Sequence, residues 1–109
     1  MTAGRSEDLA RLAVLAKIAV DHKLSRLRAA AAAKAVSEAR LAGLTVPAAE
    51  DLGLVAGAAV ALRYERWADA RRAEINLTLA RQTVAWIDAR DDAAFAFGRA
   101  EVLDRLRKR

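Results

Sequence analysis

The chain has no cysteine, one proline, one methionine, one histidine and only five glycines in 109 residues. Without cysteine there is neither a disulfide framework nor thiolate chemistry, a composition that fits a reducing compartment. The longest strongly apolar run, Leu52 to Leu62, is about half the roughly twenty residues that a membrane-spanning helix needs, so no membrane span is expected. The opening Met1-Thr-Ala-Gly-Arg-Ser-Glu-Asp passes straight into an amphipathic pattern without the apolar stretch of a secretory signal, which makes a cytoplasmic location the expectation. Gly53-x-x-x-Gly57 fits neither the Walker nor the dinucleotide-binding pattern. It is a small-xxx-small spacing, which in a soluble chain marks close packing of helices. His22 has no second ligand spaced to share a metal with it. Asp88, Asp91 and Asp92 share a helical segment, which lacks the loop geometry that collects six or more oxygens around a hard cation. No catalytic, cofactor-binding or metal-binding residue is therefore expected, and the sequence carries no enzyme signature.

What remains is helix. Alanine and arginine, both strong helix formers, dominate the composition. Ser6 is a plausible N-cap, followed by Glu7 and Asp8 at the positive end of the helix dipole. The apolar positions Leu9, Ala13, Ala16, Val20, Leu24, Leu27, Ala31 and Ala35 then step by three or four along one side. Gly43 is a natural residue to end this helix, and Thr45-Val46-Pro47 reads as a turn into the next. The second helix has Glu50 and Asp51 near its start and the i,i+4 pairs Glu101–Arg105 and Asp104–Lys108 near its end. The expected fold is all-α: one domain over 1–109, helix one at about 6–41, a turn at 42–47 and helix two at about 48–108, in an antiparallel coiled-coil hairpin whose second helix is longer than its first. A break at Gly53 to Gly57 would instead leave three segments that fold back, since each interior glycine costs about 1 kcal/mol relative to alanine.

Two stripes mark helix two. Tyr64, Ile75, Trp86 and Phe97 recur every eleven residues, and eleven residues make close to three helical turns. Leu9, Val20 and Ala31 repeat that period in helix one, which predicts a nearly straight or weakly right-handed pair. The second stripe, Ala73, Leu77, Ala80, Val84 and Ile87, lies nearly opposite the first. One helix then has two faces to bury, and an internal partner covers only one of them. With the turn centred near residue 45, Leu9 falls beside Arg81, and everything beyond about Trp86 projects past the start of helix one. Trp86, Phe97, Leu103 and Leu106 on that overhang, together with Leu77 and Val84 on the second stripe, are the candidate partner interface. Trp67 is expected inside the hairpin and Trp86 near its open end.

The net charge of +5 is mild. Arg63, Arg66, Arg71, Arg72, Arg81, Arg90 and Arg99 alternate with Glu65, Asp69, Glu74, Asp88, Asp91 and Asp92, the pattern of a solvated helical face. The terminal Arg105-Leu106-Arg107-Lys108-Arg109 and the patch Lys23, Arg26 and Arg28 could meet phosphates by counterion release, but no helix-turn-helix spacing appears, so nucleic-acid binding is the weakest reading.

The run Leu9-Ala-Arg-Leu12-Ala-Val-Leu15-Ala-Lys-Ile18, the segment Tyr64-Glu-Arg-Trp67-Ala-Asp-Ala-Arg71-Arg72 and the closing Leu103-Asp-Arg-Leu106 resemble the flagellar FliJ family, the stalk proteins of type III export. The resemblance covers most of the chain in layout and implies a cytoplasmic helical hairpin that occupies the centre of the hexameric export ATPase, promotes its assembly and links it to the export gate. This chain is shorter than that family and lacks its Gln/Glu-rich heptads. The other class of function is a self-associating structural hairpin, in which the two faces of helix two build a four-helix dimer.

Overall fold

The computed structural model describes residues 2–44 and 53–109. Its elements are two helices, α1 (Thr2–Ala42) and α2 (Leu54–Arg107), paired as an antiparallel hairpin, with no strand among the described residues. Helix α1 begins earlier than expected. Ser6 therefore lies inside the helix rather than capping it, and the first turn carries no acidic residue. The helix ends where Gly43 follows Ala42. The Gly43 amide donates to the Ala39 carbonyl at 3.0 Å and the Leu44 amide to the Leu41 carbonyl at 3.1 Å, so the last turn tightens as its carbonyls run out of helical partners.

Helix α2 starts after Gly53, and the expected start near residue 48 lies outside the described residues. Gly53 has φ of 75°, a left-handed conformation that costs glycine little and other residues more. Its carbonyl accepts the Gly57 amide at 2.9 Å, the first bond of the new helix. From Leu54 the helix runs unbroken through Gly57 to Arg107. The proposed turn residues Thr45, Val46 and Pro47, and the dipole partners Glu50 and Asp51, lie outside the described residues.

The chain divides into two compact units, one formed by Met1–Ala32 with Val84–Arg109 and the other by Ala33–Thr83. In the first, Leu9 shares a groove with Leu106, and Lys23 Nζ meets Asp92 at 3.8 Å. This corrects the expected register. The last turns of α2 lie along the first turns of α1, so Leu9 is not beside Arg81 and the chain beyond Trp86 is no overhang. The turn-centred estimate failed because the Lys23–Asp92 pair centres the hairpin well beyond residue 45. In the second unit, Ser37 meets Gln82, and an Arg72 guanidinium nitrogen donates to the Leu44 carbonyl at 2.9 Å.

Burial follows heptads rather than elevens. In the first unit the covered positions of α1 are Leu9, Ala13, Ala16, Val20, Lys23, Leu27 and Ala30, in alternating steps of four and three, with Ala10 and Leu24 half-buried on the flanks. Those of α2 are Trp86, Ala89, Ala93, Ala96, Ala100 and Leu103. An eleven-residue step overshoots three turns of a 3.5-residue period by about 50°, so two such steps leave the seam. That is why Ala31 and Phe97 are exposed while Leu9 and Trp86 are not. In the second unit α1 contributes Lys34, Ser37 and Leu41, Leu44 just beyond its end is also covered, and Ala35 faces outward. The α2 positions Ala61, Tyr64, Ala68, Arg72 and Ile75 include two consecutive steps of four. This four-residue insertion in the heptad register keeps Tyr64 and Ile75 on one seam.

Candidate interaction surface

The most buried positions of the seam are mostly small side chains, flanked by half-buried larger ones such as Leu9, Val20, Leu27, Trp86 and Leu103. Among the described residues the buried apolar ones are Ala68, Ile75, Ala93 and Ala96, of which only Ile75 is bulky, and Ser37 is buried and polar. A buried methyl contributes on the order of 0.8 kcal/mol and a buried Leu or Ile about 1.5–3 kcal/mol, so the alanine positions of the seam bring the helices close but add little each. Ser37 Oγ donates to Gln82 Oε1 at 2.6 Å, a polar pair at a heptad position that specifies how the helices match. Ser37→Ala should cost about 1 kcal/mol by leaving the Gln82 amide oxygen without its donor, and Gln82→Leu added to it should recover most of that loss. Thermal unfolding of the two variants followed by circular dichroism checks this. Failure of the second change to recover stability would remove the hydrogen bond as the cause.

The bulky apolar residues point outward. In the first unit Leu12, Val14, Leu15 and Ile18 on α1 are 49–62% exposed, as are Val84, Phe95, Phe97 and Val102 on α2 at 54–69%. One groove of this unit runs between Leu12 on α1 and Ala94, Phe95, Gly98, Arg99, Val102 and Leu103 on α2. Its larger apolar residues are Leu12, Phe95, Val102 and Leu103, and its small ones are Ala94 and Gly98. A Cβ built at Gly98 meets nothing within 4 Å, so no contact within the described chain requires glycine there. In a helix interior that glycine costs about 1 kcal/mol relative to alanine.

The sequence-derived interface residues do not form one patch. Trp86 and Leu103 are half-buried on the seam, and the Arg90 guanidinium stacks 5.2 Å from the Trp86 ring centre. Leu106 lines the end groove with Leu9, Arg5 and Arg107. Phe97 is exposed outside the seam, and Leu77 and Val84 are exposed on the second stripe of α2, Leu77 in one unit and Val84 in the other. Trp67, expected inside, is 55% exposed and packs its ring against Tyr64 with centroids 5.5 Å apart. Sequence reasoning missed the Leu12–Phe95–Val102 groove, because the eleven-residue row drew attention to Phe97 instead of its neighbours. A heptad count anchored at Leu103 would have placed Phe95 and Val102 together on the outer face.

Charged side chains are mostly engaged locally. Arg71 pairs with Glu74 at 3.0 Å, Arg72 with Asp69 at 2.7 Å, Arg105 with Glu101 at 3.2 Å and Lys108 with Asp104 at 3.0 Å. Lys34 also pairs with Glu38. Such exposed pairs contribute only a few tenths of a kcal/mol each. Asp91 faces Arg90 at 3.4 Å. Among the described residues no three His, Asp or Glu side chains are grouped to hold a metal, and no helix is long and apolar enough to cross a membrane. The molecule is thus a helical hairpin whose most buried positions are mostly small and whose outer faces carry bulky apolar residues. Comparison with protein families, characterised proteins and solved structures finds no match to the chain.

Proposed function

We propose that this chain is a non-enzymatic interaction protein that works by burying the outer faces of its hairpin against protein, and that a second copy of itself supplies the covering surface. The observation that carries this reading is the bulky apolar surface left uncovered: Leu12, Leu15, Ile18, Phe95 and Val102 are 49–69% exposed, while the most buried positions of the seam are mostly alanine and serine. Apolar groups of that size are worth about 1.5–3 kcal/mol each when covered. A hairpin so constructed gains stability on association.

The export-stalk role implied by the FliJ resemblance is a second form of the same proposal, with the lumen of an ATPase ring as the covering surface. Its support is the resemblance together with exposed arginines such as Arg71, Arg90 and Arg105, which could meet acidic loops. The two forms differ in mass. The purified chain on a light-scattering column at micromolar concentration is expected to run as a dimer and to ignore a flagellar export ATPase from the same organism. A monomer that joins and completes the ATPase ring would overturn self-association in favour of the stalk.

A further inference from the structure

We infer that the second copy docks on the Gly98 face of α2, pairing α2 with its own mate in antiparallel fashion about a two-fold axis at Gly98. This rests on the self-association reading and names its site. Three observations on the first unit converge there. Gly98 is an interior helix residue with open space where its Cβ would be, so glycine serves nothing inside the described chain. The groove beside it is lined by Leu12, Ala94, Phe95, Val102 and Leu103 with Arg99, and the small residues Ala94 and Gly98 on it allow a helix to approach closely. On the line of Gly98 itself, Asp91 and Arg105 are self-complementary about the glycine, while Arg99 at the edge of the groove and Glu101 have no opposite charge across the axis.

The last point decides the occupant. Asp91, Gly98 and Arg105 are seven residues apart and lie on one line of the helix. In an antiparallel pair centred on Gly98, residue 98 meets its own copy, Ala94 meets Val102 of the second copy, and Asp91 meets Arg105 of the second copy. The two-fold axis repeats each contact, so one face supplies two ion pairs of matching sign. Both side chains are exposed and held only by weak local partners, Asp91 by Arg90 at 3.4 Å and Arg105 by Glu101 at 3.2 Å, so they are free to re-pair across the axis. A parallel pairing would put Asp91 on Asp91 and Arg105 on Arg105, a like-charge arrangement that disfavours it.

The test is the dimer dissociation constant of the full chain by sedimentation, with circular dichroism as the control for folding. Gly98→Leu places its side chain in open space in the single hairpin, so helicity is retained, while the dimer is expected to weaken at least tenfold. Asp91→Arg and Arg105→Asp should each weaken it three- to tenfold, and the double exchange, which restores opposite charges across the axis, should recover most of that loss. A wild-type chain that stays monomeric at high concentration would overturn self-association itself. A wild-type dimer that is insensitive to Gly98→Leu, or whose charge exchange brings no recovery, would leave self-association standing and overturn this site.

Discussion

Replacing Ile75 with alanine is expected to destabilise the fold by about 2–5 kcal/mol, enough to unfold most of the population of a small helical hairpin near physiological temperature. Ile75 is 6% exposed, and among the described residues it is the one bulky side chain that is buried and apolar. Its neighbours on the seam of the same unit are Ala68, Arg72 and Leu79, and Ser37 and Arg40 of α1 line the adjoining groove. Truncation removes three carbons from the site with the most to lose and leaves a gap that alanine neighbours cannot fill. Leu77→Ala, two residues along the same helix but 57% exposed, supplies the control and should change stability of the single hairpin by no more than about 0.5 kcal/mol. Thermal unfolding of both variants at one low protein concentration checks the contrast. Equal losses would mean that the second stripe of α2 is as important to the fold as the seam.

The contrast between Ile75 and Leu77 also shows what could be read from the residues alone. Helix content, the two-helix count and the antiparallel pairing follow from propensity, the scarcity of glycine and proline and the stop at Gly43, all of which are local signals. The exposed second stripe was visible too: Leu77 and Val84 face outward as their spacing suggested. Register was not visible, because it depends on where α2 begins, and Gly53 opens that helix with a left-handed φ that no residue pattern distinguishes from a tolerated interior glycine. Eleven- and seven-residue periods agree over one repeat and separate only after two. Leu9 and Val20 therefore satisfied both, while Ala31 and Phe97 could not. The alanine-rich composition blurred the difference, since an alanine stripe fits either period and marks neither face as core.

Trp86→Ala and Phe97→Ala test that distinction most directly, because both aromatics belong to the same eleven-residue row and the heptad seam separates them. Trp86 is half-buried at a seam position, with the Arg90 guanidinium over its ring, so its truncation should cost about 2 kcal/mol, below the usual range for a fully buried tryptophan. Phe97 is 61% exposed one position past the seam residue Ala96, and its truncation should leave stability within about 0.5 kcal/mol. Alanine is a better helix former than either aromatic, so any loss must come from packing rather than propensity. The measurement is the thermal midpoint of each variant by circular dichroism at matched concentration, with Trp86→Ala falling by several degrees and Phe97→Ala holding. A fall for Phe97→Ala as large as that for Trp86→Ala would return the helices to an eleven-residue seam. A tolerant Trp86→Ala that lost only association would restore Trp86 to the outer, partner-facing role from which its seam position removes it.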